Sequence, residues 1–221
     1  MDYDFTFLNG EKLPIKTIYC VGKNYAEHTK EMGGEVPIEP VIFIKPVTAY
    51  IPDGGTILLP SFSQMVHYEV ELVVVIGKDA KDLAMQEAED VIAGFGVGID
   101  VTLRDIQKKA KNRGEPWAVA KGFATSAPIS NIVPSKSING NNKHFDIELY
   151  INDNLKQKTN TSKMERPYSE LISYLSSIFT LQKGDCIFTG TPEGVGQILP
   201  GDKIKALLKN YISLNVNVAK K

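Results

Sequence analysis

Hydrophobic positions along the chain fall into short runs, and most of them alternate with a period of two. TIYCVG (17–22), PVIFIKP (40–46) and the segments 56–60 and 66–76 are β-branched or leucine-rich and bounded by turn residues, which predicts strands. GFGVGID (94–100) predicts a buried strand lightened by glycine, and WAVAKGF (117–123) an apolar strand interrupted by a lysine. HFDIELYINDNLKQKTN (144–160) predicts a hairpin that turns near Asn152 to Asn154. A helical period marks KDLAMQEAEDVI (81–92) and PYSELISYLSSIF (167–179) instead. Two further helices are expected from their ends: one in NYAEHTKEMGG, with Asn24 as N-cap, Glu27 three residues on and Gly33-Gly34 as the stop, and one in VTLRDIQKKAKNRG, with Thr102 and Asp105 as a capping pair. The polar stretches 134–143 and 152–165 read as loops. Strands outnumber helices and do not repeat as βαβ units, so the fold class expected is α+β around a mixed or antiparallel sheet. With no internal repeat and no interdomain linker, residues 1–221 are expected to form one domain.

Composition narrows the partners. Hydrophobic residues make up 43% and charged residues 23%, with 25 Lys+Arg against 26 Asp+Glu. That balance offers no basic excess for a phosphate backbone, and no apolar run is long enough to span a bilayer, so neither nucleic acid nor membrane is an expected partner. Cys20 and Cys186 lie in no metal-type or redox spacing and read as two reduced thiols, which together with an acidic, polar start makes the cytoplasm the expected location.

The candidate chemistry begins in HYEVELVVVI (67–76). Alternation puts His67, Glu69, Glu71, Val73 and Val75 on one face and the wholly apolar Tyr68, Val70, Leu72, Val74 and Ile76 on the other. Two carboxylates on one face at about 7 Å repel by roughly 2 kcal/mol at an effective dielectric of about 20, and a divalent cation reverses that cost. The segment alone fits a solvated strand end equally well. Asp100, at a strand terminus before a helix, adds a third acid and completes an all-oxygen set of the kind Mg²⁺ or Mn²⁺ prefers. His28 and Glu31 lie three apart on one helical face, where a carboxylate can orient an imidazole for taking a proton; a surface histidine beside a glutamate is the simpler reading of that segment alone. Lys45 and Lys121 sit in apolar runs and need anionic partners, either a substrate or a structural carboxylate. Arg104 and Gln107 share a helical face that can point back at the acids, and TGTPEGVG (189–196) offers a turn with accessible amides but lacks the spacing of a phosphate loop.

Five stretches in this order, VGKNYAEHTKEMG, HYEVELVVVIGKD, GFGVGIDVTLRDIQ, PWAVAKGF and GDCIFTGTPEGVG, resemble the fumarylacetoacetate hydrolase family, most closely its small acylpyruvase and oxaloacetate decarboxylase branch. The resemblance runs from about Tyr19 to Gly201, and the motif-bearing core spans about 17–210. It implies a mixed β-roll, sandwich-like core, usually a homodimer, with Mg²⁺ or Mn²⁺ held by Glu69, Glu71 and Asp100. It further implies that Lys121 is the active-site lysine, that Arg104, Gln107 and Thr191 contact substrate, and that His28 with Glu31 activates water. Lys45 joins the expected substrate contacts. The chain departs from its relatives at Ala124, where Asp is common after KGF, and in APISNIV, which lacks a common Gly-Pro.

The activity this implies is metal-dependent hydrolysis of the C–C bond in a 3-acylpyruvate-type 2,4-dioxo acid, with His28 deprotonating water and Lys121 beside the departing pyruvate enolate. Decarboxylation of oxaloacetate and keto–enol tautomerisation of a 2-oxo acid use the same electron sink without an activated water, so the dyad favours hydrolysis. A non-catalytic metabolite-binding domain with a structural cation is the alternative from another class.

Overall fold

The computed structural model describes residues 3–31, 33–139 and 143–221. Its centre is a six-stranded sheet in the order Val133–Pro134, Ile92–Ile99, Val70–Ile76, Cys186–Phe188, Ile18–Gly22, Val41–Lys45. Neighbours run antiparallel except for Cys186–Phe188 beside Ile18–Gly22, which is parallel. A five-stranded sheet, Asn154–Asn160, Asp146–Ile151, Lys203–Leu208, Ile212–Lys220, Thr56–Leu59, packs against it. A three-stranded sheet of Thr102–Leu103, Val66–Tyr68 and Gly196–Gln197 and two strand pairs complete the β-structure among the described residues. The fold class is the expected one: α+β, mixed sheets, few helices.

Period-two alternation decides where each face goes. Val70, Leu72, Val74 and Ile76 join Phe95, Val97 and Ile99 in a core closed by Ile147, Leu149, Ala206 and Leu214 of the second sheet. The opposite face is not wet beyond Glu71: Val73 and Val75 pack with Ile18, Cys20, Cys186 and Phe188 under Phe5, Phe7 and Ile129. Burying a Val, Leu or Ile contributes about 1.5–3 kcal/mol, so a sheet covered on both faces is anchored twice over. Cys20 and Cys186 are free and buried in this second core.

The helices are α1 (Ala26–Glu31), α2 (Arg104–Arg113), α3 (Ala118–Lys121) and α4 (Tyr168–Ile178). α4 forms where the helical period predicted it and buries Leu171, Ile172 and Leu175. The hairpin also forms as expected, turning on Asn152 and Asp153, both at positive φ (49° and 64°), as a two-residue turn matching strand twist requires. Several local expectations are corrected. Segment 81–92 yields a 3₁₀ turn, Met85–Val91, and WAVAKGF yields α3 rather than a strand. The run 66–76 is two strands, because the chain leaves one sheet for another at Glu69. Residues 152–165 are not all loop, since Asn154–Asn160 is a strand; residues 140–142 of the other expected loop lie outside the described residues. Neither expected capping box forms. The Asn24 amide donates to Thr189 and Arg166 carbonyls (2.8 and 2.9 Å), and Asp105 accepts from Ser63 Oγ at 2.6 Å.

Candidate active site

The switch of sheets at Glu69 builds the site. Val70 pairs with Ile99, so Asp100 arrives beside Glu69, whose carbonyl accepts the Asp100 N–H at 2.8 Å. Glu71 lies opposite Gly98. A Cβ at Gly98 would come 2.6 Å from the Phe188 ring, so glycine is the residue that lets this strand pair close behind the acids. Carboxylate oxygens of Glu69, Glu71 and Asp100 all lie within 4.8 Å of one another, and all three residues are buried. At that spacing each pair of charges repels by about 3 kcal/mol at an effective dielectric of about 20.

Three cations answer them. Lys121, at the end of α3, sets Nζ 2.8 Å from Glu69, 2.5 Å from Asp100 and 2.7 Å from Thr102 Oγ1. Arg104, at the start of α2, pairs with the other Glu69 oxygen and donates to Gln107 Oε1 at 2.7 Å. Lys45 Nζ lies 2.8 Å from Asp100 Oδ1, without hydrogen-bond geometry to that oxygen. Burial opposes ionisation of Glu69, but Lys121 and Arg104 outweigh it and hold its carboxyl well below the usual carboxylate range. Glu71 is the odd member. Its polar contact is the Gly190 N–H, 2.6 Å from Oε2, and burial together with the Asp100 and Glu69 charges pushes its carboxyl well up. An all-oxygen set in which one buried carboxylate lacks a cation of its own fits a divalent ion such as Mg²⁺ or Mn²⁺.

Most of the remaining expected residues gather on a small cleft above the acids, lined by His28, Arg104, Gln107, Lys121 and Thr191 among others. His28 Nδ1 lies 3.3 Å from Glu31 Oε2, and Glu31 also accepts the Gly194 N–H at 3.2 Å, which ties α1 to the 189–196 turn. With the proton on Nδ1, Nε2 is left as a proton acceptor. Thr191 Oγ1 accepts from Gln157 Nε2 at 3.0 Å, leaving its own proton to donate.

Lys45 is corrected. It is 0% exposed, and its ammonium is enclosed by Asp100, Ser126 and the carbonyls of Lys121 and Val101, so it holds Asp100 from behind and cannot reach a substrate. His67 finds its role here too. Its Nδ1 accepts from Arg104 Nε at 3.5 Å, and burial with the Arg104 charge lowers its pKa, keeping the ring neutral.

Sequence reasoning missed four contributors. Lys111 stands at the spacing 104, 107, 111, one face of α2, and helical periodicity had the signal to find it. Lys23 and Trp117 also line the cleft. Gln157 carried no signal; its Oε1 takes the Val70 N–H at 2.9 Å, next to the strand break.

A family model described as Fumarylacetoacetate (FAA) hydrolase C-terminal matches residues 17–219. The human mitochondrial oxaloacetate tautomerase is 42% identical over 93% of this chain and 92% of its own length. The oxaloacetate tautomerase of Escherichia coli (strain K12) is 42% identical over 86% and 87%. Among solved structures, fumarylpyruvate hydrolase from Pseudomonas aeruginosa, in complex with Mn²⁺ and pyruvate, superposes with a TM-score of 0.94 at 35% identity over all of this chain and 97% of that one.

Proposed function

We propose a reaction for this chain from the premise that it belongs to the fumarylacetoacetate hydrolase family: it moves a proton between carbon and oxygen of a small 2-oxo acid, with keto–enol tautomerisation of an oxaloacetate-type acid as the leading activity. The observation that carries the reading is one small cleft in which a carboxylate-oriented imidazole, His28, and a buried ammonium, Lys121, face the same three acids. Those are the parts that enolisation needs: an acceptor for the C3 proton and a charge beside the oxygen that becomes negative. The two relatives named above carry oxaloacetate tautomerase as their name, which supports the same choice.

Glu69, Glu71 and Asp100 would hold a divalent cation, which supplies Lewis acidity at the carboxylate and 2-oxo oxygens. His28 Nε2 takes the C3 proton, C2 and C3 become doubly bonded, and the carbonyl electron pair moves onto the C2 oxygen. The Lys121 ammonium stabilises that oxygen, and Glu31 fixes the His28 ring through Nδ1. Protonation of the oxygen gives the enol, and the reverse path gives the ketone. Arg104, braced by Glu69, Gln107 and His67, holds the substrate carboxylate, and the Thr191 hydroxyl donates to it.

Hydrolysis of a 3-acylpyruvate is the second reading, supported by the solved fumarylpyruvate hydrolase and by the same dyad acting on water instead of C–H. Enol absorbance of oxaloacetate, followed with and without Mg²⁺ or Mn²⁺, tests the first reading. A metal-dependent decay that falls by about 10² or more in His28→Ala is expected; decay indifferent to His28 and to metal would overturn the reading. Acetylpyruvate followed by NMR separates the second, because cleavage releases acetate and pyruvate whereas tautomerisation releases nothing. His28→Ala is expected to spare any decarboxylation of oxaloacetate, which needs no proton acceptor at carbon.

A further inference from the structure

The segment that carries His28 and Glu31 is tied at both ends to one residue that lies outside it. Asn24, before α1, pairs with the backbone of Arg166 in both directions: its Nδ2 donates to the Arg166 carbonyl and its Oδ1 accepts the Arg166 N–H, each at 2.9 Å. The same amide donates to the Thr189 carbonyl at 2.8 Å, next to the Gly190 N–H that meets Glu71, so this end is registered against the acids. At the far end the Arg166 guanidinium donates to the carbonyls of Pro37 at 3.0 Å and Ile38 at 2.5 Å. Among the described residues no other hydrogen bond joins residues 33–38 to the molecule beyond α1. Ile38 is 97% exposed, so packing does not anchor that end either.

Arg166 is a firm post. It stands directly before Pro167 at the entry to α4, which is seated by buried Leu171, Ile172 and Leu175. A residue before proline is steered out of helical backbone, which leaves its N–H and carbonyl to pair with Asn24. Its Nε lies 3.4 Å from Glu170, one turn into the helix, so the guanidinium is braced as well. The planar fork of an arginine holds two neighbouring acceptors in a fixed geometry, where a lysine offers a single mobile ammonium.

We propose that Arg166 is a positioning residue that clasps both ends of the segment carrying His28 and Glu31 and so fixes the dyad over the three acids. This rests on the reaction proposed above and deepens it. Arg166 does not line the cleft, so it acts through the segment alone. With the far end released, α1 keeps the tie from Glu31 to the Gly194 N–H, and the imidazole stands over the acids for a smaller fraction of the time. The rate falls with that fraction.

Arg166→Met tests the clasp, because it removes the guanidinium and leaves the Asn24 pairing, which uses only the backbone of residue 166. The Thr29 and Gly34 N–H groups donate to the Tyr25 and Thr29 carbonyls. In the Mg²⁺-loaded variant their hydrogen exchange is expected to be about tenfold faster than in wild type. Enolisation of oxaloacetate is expected to lose about tenfold in kcat with KM changed less than about twofold, because Arg104 and Thr191 still hold the substrate. Arg166→Lys is expected to fall between wild type and Arg166→Met. In a His28→Ala background, Arg166→Met is expected to cost less than about twofold more, since its effect passes through the dyad, and Mn²⁺ affinity is expected to stay within about twofold of wild type. Exchange in Arg166→Met that matches wild type, or an equal loss of kcat with and without His28, overturns the proposal. A wild type that enolises no 2-oxo acid would instead remove the reaction proposed above, and faster exchange at Thr29 and Gly34 in Arg166→Met would still uphold the clasp.

Discussion

Glu71 is the residue on which the electrostatics of the site turn. It is buried beside two other acids, and Lys121 engages Glu69 and Asp100 but does not pair with it. Its carboxyl is pushed up in the folded protein, so folding takes up a proton between the ordinary carboxylate range and that raised value. Metal-free stability is therefore expected to fall as pH rises through that window, since ionised Glu71 is better solvated in the unfolded chain. Affinity for a divalent cation has the opposite slope and rises with pH, because the ion replaces that proton. Glu71→Gln keeps an acceptor for the Gly190 N–H and removes the charge. It is expected to raise the metal-free melting temperature by a few degrees, flatten its pH dependence and abolish stabilisation by Mg²⁺ or Mn²⁺, all readable in melts between pH 5 and 9. At this scale the sequence was informative. Spacing alone placed Glu69 and Glu71 on one face and His28 beside Glu31. It misassigned Lys45 because an apolar run does not show which way a lysine leaves the strand, and here Nζ turns inward to Asp100.

At the scale of elements, the break at Glu69 depends on a side chain from a distant strand. Gln157 accepts the Val70 N–H through Oε1 and donates through Nε2 to Thr191 Oγ1 and the Pro192 carbonyl at 2.9 Å, joining the strand that carries Glu71 to the 189–196 turn. Gln157→Leu leaves a buried N–H and a carbonyl without partners and is expected to cost about 3 kcal/mol, which lowers the melting temperature by roughly 6–12 °C. Weakened metal binding in the same variant would show that the stitch also sets the acids. No local pattern announces a contact across 87 residues. Short elements were misread for a related reason: WAVAKGF is too brief for its period to separate strand from helix, and its two alanines, Ala118 and Ala120, favour the helix. The longer α4 and the Asn152-Asp153 hairpin carried enough pattern to be read correctly.

Across the molecule, the six-stranded sheet is covered on both faces, and the acids stand where its strands end at the cleft. That arrangement explains why HYEVELVVVI alternates cleanly in chemistry yet is buried on both sides beyond Glu71. The five motifs carried the architecture as well as the site, because they mark the strand ends and turns that bring residues 28, 69, 71, 100, 121 and 191 to one place. Among the described residues no helix is long and apolar enough to cross a membrane. The central claim is that this convergence makes a divalent-cation site, and titration of the purified protein with Mn²⁺, followed by loss of the free-ion electron paramagnetic resonance signal, tests it most directly. One saturable Mn²⁺ per chain is expected, displaced by Mg²⁺ and lost in both Glu71→Ala and Asp100→Ala. Failure to bind, or binding that survives both substitutions, would contradict it.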